Sequence, residues 1–129
     1  MCNFDLTYII DDDSTFVFVL KKLLKKIENF NEIRNLVNGE EAITVLENHY
    51  SNEESFPDII FLDINMPMLD GWQFLEEIEQ SNYHQKCNIY IVSSTIDINE
   101  IEKSKNYASV KGFIPKPVLE NTLKDILMI

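Results

Sequence analysis

Pro57-Asp58-Ile59-Ile60-Phe61-Leu62-Asp63-Ile64-Asn65-Met66-Pro67 decides the fold. Ile59 to Leu62 run apolar without a polar break, whereas a half-exposed antiparallel strand would alternate. The stretch reads as a strand buried on both faces, ended at Asp63 and turned by Asn65-Met66-Pro67. A strand covered twice belongs to a parallel sheet between layers of helices.

Upstream, Tyr8-Ile9-Ile10 is a first buried strand stopping at Asp11-Asp12-Asp13. Ser14 is placed to cap a helix whose Phe16, Leu20, Leu23, Leu24 and Ile27 share one face, with Lys21, Lys22, Lys25 and Lys26 as a solvated opposite face. Ile33 to Val37 form the second strand, Asn38-Gly39 turn, and Ala42, Ile43, Leu46 and Tyr50 mark a helix from Glu40. Downstream of the central strand, Trp72, Leu75 and Ile78 lie on one side of a helix ending near Gln80. Ile89 to Val92 make the fourth strand, and Ile98, Ile101 and Ala108 indicate a fourth helix. Gly112-Phe113-Ile114 is a short fifth strand, followed by Pro115-Lys116-Pro117 and a helix carrying Leu119, Leu123, Ile126 and Leu127. Five strands alternating with five helices predict an α/β fold with a doubly wound parallel sheet.

Composition narrows the function. The 129 residues fit one domain, and the 45% apolar content can fill its core. No apolar run approaches a membrane span, and the N-terminus lacks a signal peptide's basic-then-apolar pattern. With 22 Asp or Glu against 11 Lys or Arg, a formal charge of −11 argues against nucleic acid and anionic membranes. Gly39, Gly71 and Gly112 stand more than thirty residues apart, which excludes the two common glycine-rich phosphate loops. Cys2 and Cys87 form no framework, which suits a reducing, cytoplasmic setting. His49 and His84 are isolated and read as surface residues.

In doubly wound sheets ligands gather at the carboxyl ends of the strands. Those ends carry Asp11 and Asp12, Asp63, Ser93 and Lys116. Each alone has an ordinary explanation: a helix N-terminus for the Asp run, a turn for Asp63, a surface position for the lysine. Together they place carboxylates, a hydroxyl and an ammonium at one end of the sheet. Carboxylates crowded together raise each other's pKa, and a divalent cation relieves the conflict. An oxygen-only donor set favours Mg²⁺, and the ensemble suits phosphoryl transfer.

Ile9-Ile10-Asp11-Asp12-Asp13, Pro57 to Pro67, Asp70-Gly71, Ile91-Val92-Ser93 and Lys116-Pro117 resemble the receiver domain of bacterial response regulators, nearly end to end from Leu6. The resemblance implies a flavodoxin-like (βα)5 sheet of strand order 2-1-3-4-5, with residues 1–129 forming one receiver domain and no output domain. It implies that Asp63 accepts a phosphoryl group from a sensor histidine kinase or histidine phosphotransfer protein. Asp11, Asp12, Asp63 and the backbone carbonyl of Asn65 would hold Mg²⁺, and Lys116 would pair with the phosphoryl oxygens. Ser93 would be the switch hydroxyl and Phe113 the switch aromatic, with Phe where Tyr is often found. Thr95 and Asn65 would line the path of attacking water, and the Lys116–Pro117 bond would be cis. The implied module is no enzyme beyond its own phosphorylation and dephosphorylation. It would signal through the surface of the fourth helix, fifth strand and fifth helix to a downstream protein target.

Three other readings are weaker. A haloacid-dehalogenase-type phosphatase needs a carboxylate two residues after its nucleophile, and that position is Asn65. A flavodoxin-like cofactor module would need a phosphate cradle where Asp11-Asp12-Asp13 repel one. A degenerate receiver acting only as a phosphorylation-independent interaction module would lack a key group, and all of them are present.

Overall fold

The computed structural model describes residues 4–66, 69–94 and 97–129. β1 (Phe4–Ile10), β2 (Phe30–Leu36), β3 (Ile59–Asp63), β4 (Ile89–Ser93) and β5 (Val110–Pro115) form one sheet in the order β2-β1-β3-β4-β5. Every neighbouring pair is parallel. Between the strands run α1 (Ser14–Ile27), α2 (Gly39–Ser51), α3 (Gly71–Gln80) and α4 (Ile98–Ser104), with α5 (Glu120–Leu127) after the last. This is the doubly wound α/β fold expected from the alternating pattern, in the flavodoxin-like strand order that the resemblance implied. Among the described residues no helix is long and apolar enough to cross a membrane.

The period of two along each strand sends alternate residues into separate cores. Tyr8, Ile10, Ile60, Leu62, Ile89 and Ile91 face one side, where Ala42 and Leu46 of α2 and Phe74, Leu75 and Ile78 of α3 cover them. Ile9, Ile59, Phe61, Val92 and Ile114 face the other, under Val17, Leu20 and Leu24 of α1 and Leu123 and Leu127 of α5. All five residues of β3 are buried, because the central strand has a helix layer on each face.

Several boundaries differ from the sequence reading, each for a local reason. The cap of α1 is Asp13, whose carboxylate accepts the N–H groups of Thr15 and Phe16, and Ser14 is already helical. β2 begins at Phe30, stacked on Phe4 at 4.7 Å, and stops before Val37, which is exposed. In α3 the inner face is Phe74, Leu75 and Ile78, and Trp72 is half-buried. α4 is only 7 residues long, its Ile98 lies in solvent, and Ala108 falls beyond it. Ser104 and Tyr107 are buried there instead. Tyr50 and Leu119 are also exposed. His49 is no surface residue: its ring is largely enclosed and hydrogen-bonded to the Tyr8 hydroxyl.

The start of α3 fixes the loop that follows β3. Asp70 and Gln73 close a reciprocal capping box, the Asp70 carboxylate accepting the Gln73 N–H and the Gln73 side-chain oxygen accepting the Asp70 N–H. A Cβ at Gly71 would stand 2.6 Å from the Ile64 Cα and 2.9 Å from the Asp63 carbonyl oxygen. Backbone cannot yield as a flexible side chain can. Gly71→Ala is therefore expected to cost about 1–3 kcal/mol by urea unfolding. A loss below about 0.5 kcal/mol would contradict this close approach.

Candidate functional site

Parallel pairing brings the strand ends together. Ile10 lies opposite Leu62, so Asp11 and Asp63 leave adjacent strands side by side. Ser93 and Pro115 are paired at the ends of β4 and β5, and the Lys116 N–H donates to the Ser93 carbonyl oxygen at 2.8 Å. Lys116 is thereby held at the same edge, with its peptide bond to Pro117 cis.

The Asp11-Asp12-Asp13 run divides its work. Asp13 caps α1. Asp11 is buried and Asp12 exposed. One carboxylate oxygen each of Asp11, Asp12 and Asp63 lie within 4.8 Å of one another, the one such group of potential metal ligands among the described residues. Asp11 accepts the Asp13 N–H at 2.9 Å and the Lys116 ammonium at 3.1 Å. Asp63 accepts the Asn65 N–H at 3.2 Å, and Lys116 Nζ lies 3.9 Å from its Oδ1.

Burial, and then the negative charge of Asp11, push the Asp63 carboxyl from 3.8 up to about 6. Lys116 and the Asn65 N–H oppose this rise without cancelling it, and Asp12 adds to it. One ammonium among three carboxylates leaves a net negative, oxygen-only pocket. That donor set fits a hard divalent cation such as Mg²⁺.

Ser93 is buried at the end of β4. Phe113 sits in mid-β5 opposite Ile91, half-buried against the α2–α3 side of the sheet. Asn65 is exposed beside Asp63. Thr95 and Pro67 lie outside the described residues, as does Cys2. Cys87 is a buried free thiol, with its pKa pushed up to about 12 by burial.

One contact at this edge escaped the sequence reading. The Phe16 ring faces the Lys116 ammonium, with Nζ 4.1 Å from the ring centroid. Periodicity assigned Phe16 to the inner face of α1. Its position four residues after Asp12, in the first turn beyond a strand end, was the available signal.

The family model for the response regulator receiver domain matches residues 7–128. A probable C4-dicarboxylate response regulator, DctR of Priestia megaterium, is 28% identical over 119 residues, covering 92% of this chain and 48% of its own length. Hybrid signal transduction histidine kinase A of Dictyostelium discoideum is 32% identical over 125 residues, covering 92% of this chain and 5% of its own. The chain thus spans about half or less of these curated relatives. A two component response regulator from Cytophaga hutchinsonii superposes with a TM-score of 0.87 at 26% identity, covering 98% of this chain and 96% of that one. Fold, strand-end carboxylates and family match agree. The chain belongs to the response regulator receiver domain family of two-component signalling.

Proposed function

We propose that Asp63 is the phosphoacceptor of a two-component phosphorelay, receiving its phosphoryl group from a sensor histidine kinase or a histidine phosphotransfer protein. The observation that carries this reading is the convergence of Asp11, Asp12, Asp63 and Lys116 at the carboxyl ends of β1, β3 and β5. A carboxylate at about 6 is largely ionised at neutral pH, as a nucleophile must be.

Asp11, Asp12, Asp63 and the Asn65 carbonyl would hold Mg²⁺. When bound, the ion supplies positive charge that lets carboxylates and phosphoryl oxygens share one site. Lys116 pairs with Asp11 before transfer and meets the phosphoryl oxygens afterwards. Phosphorylation replaces one negative charge on Asp63 with about two and adds strong acceptors. The Ser93 hydroxyl is drawn toward them, and Phe113 follows into the space it leaves. With Phe in place of Tyr, packing alone carries this signal to the face of α4, β5 and α5.

A groove of about 180 Å³ there, bordered by Ile101, Lys105, Lys111 and Phe113, suits the docking of a downstream protein target. The shift selects between existing conformations of the domain. Such a module acts in the cytoplasm by protein contact.

Acetyl phosphate tests the reading. Intact mass is expected to rise by one phosphoryl group with Mg²⁺ and to stay unchanged with a chelator. A protein that takes no Mg²⁺-dependent label overturns it.

A further inference from the structure

Lys116 carries a flexible four-carbon stem, and a lysine ammonium is a point charge with no preferred plane. Something must aim it. Its side chain is only 17% exposed, and among the described residues Nζ approaches Asp11 Oδ2 at 3.1 Å, Asp63 Oδ1 at 3.9 Å and the Phe16 ring centroid at 4.1 Å. Two are carboxylates of the acidic cluster. The third is a hydrocarbon face with no lone pair to offer.

The ring is well anchored. Phe16 belongs to the first turn of α1, where the Asp13 carboxylate accepts its backbone N–H at 3.2 Å. Its side chain is half-buried against the core that α1 shares with β1 and β3. The same short segment therefore supplies Asp11 and Asp12 to the acidic cluster and an aromatic face to the lysine across from it. An aromatic face attracts a cation through its quadrupole and competes for none of its hydrogen bonds. Nζ stands over the ring while 3.1 Å from Asp11 and 3.9 Å from Asp63, so the ring contact is compatible with either carboxylate as its partner. A polar side chain at that position would hold it in one place, and an aliphatic one would let it wander into water.

We propose that Phe16 is a positioning residue for phosphoryl transfer, its ring holding the Lys116 ammonium over the space where the phosphoryl oxygens arrive. This rests on Asp63 as phosphoacceptor. In the step concerned, a carboxylate oxygen of Asp63 forms a bond to phosphorus. The bond from phosphorus to the donor oxygen breaks, and acetate leaves with that electron pair when acetyl phosphate is the donor. Lys116 keeps its protons and balances charge on the moving phosphoryl oxygens.

The test compares wild type with Phe16→Leu, Phe16→Met and Phe16→Tyr, alone and in a Lys116→Gln background. Phosphorylation by acetyl phosphate at saturating Mg²⁺ is followed by intact mass. Loss of the ring is expected to lower the limiting rate constant about three- to tenfold. The Mg²⁺ dissociation constant should change less than about twofold, because the ring offers no oxygen ligand to the ion. Phe16→Tyr should recover most of the rate, since it keeps the aromatic face. In the Lys116→Gln background, Phe16→Leu should have almost no further effect, because the cation it served is gone.

A second readout needs no phosphorylation. The protons on Lys116 Cε should be shifted upfield by the ring in wild type and return to ordinary values in Phe16→Leu and Phe16→Met. A loss of rate that is equal with and without the lysine would overturn the proposal, as it would show that the ring acts through packing. Wild-type rates in both aliphatic variants would overturn it as well, and the phosphoacceptor reading would survive. A wild-type protein that takes no label would sink both together.

Discussion

Asp63→Asn is expected to abolish covalent phosphorylation and, in the same molecule, to raise stability at neutral pH in the absence of divalent cations. The first effect follows from the proposed role of Asp63 as phosphoacceptor, since the amide lacks the nucleophilic carboxylate oxygen. The second follows from linkage. The folded carboxyl titrates at about 6 against an ordinary 3.8, so between those values the folded protein binds more protons than the unfolded chain. Stability therefore falls as pH rises through that window. Below about pH 4 the cost is absent, and above about 6 it is fully present, at about 1–3 kcal/mol.

Asparagine carries no charge to be repelled by Asp11 and keeps an oxygen for the Asn65 N–H. Urea midpoints in a chelator should favour the variant at pH 7.5 and converge with wild type near pH 4. Added Mg²⁺ should stabilise the wild type by mass action and the variant much less. A variant less stable than wild type at pH 7.5 would show that Asp63 is not under electrostatic strain.

Phe61→Ala is expected to give the largest loss of stability, about 3–5 kcal/mol. Phe61 is 1% exposed and lies in β3, opposite Ile9 of β1 and Tyr90 of β4. Its ring fills the side of the sheet covered by α1 and α5, and β3 leads directly to Asp63. Since whole domains are stable by only about 5–15 kcal/mol, this change removes a large share of the margin. Phe18→Ala in α1 is the control, because Phe18 is 60% exposed. It should shift stability by no more than about 0.5 kcal/mol. Equal losses at the two positions would mean that the β3 face is not tightly packed.

These outcomes divide what periodicity can read from what it cannot. The unbroken apolar run at Ile59–Leu62 announced a strand buried on both faces, because only a sheet between two helix layers leaves no polar edge to mark. The same logic gathers Asp11, Asp12, Asp63 and Lys116 at one edge of the sheet, where they do lie together. It failed where local pattern and solvent disagree. Ile98 and Ala108 have helical spacing, yet α4 is short and leaves Ile98 in water, while Ser104 and Tyr107 are buried there. His49 looked isolated because its partner, Tyr8, lies in a different element forty-one residues away.

The acidic run shows the limit most clearly. In sequence Asp11, Asp12 and Asp13 are three equal neighbours at the end of a strand. The structure gives Asp13 to the N-cap of α1, buries Asp11 against Lys116 and leaves Asp12 exposed at the rim. The sequence by itself determined the strands, the helices and the kinds of group collected at one edge, since these depend on the spacing of side chains along the chain. Only the tertiary structure decided the ionisation of Asp63 and the pairing of Lys116 with Phe16. Both arise from burial and from distances between segments far apart in sequence, which no local period records.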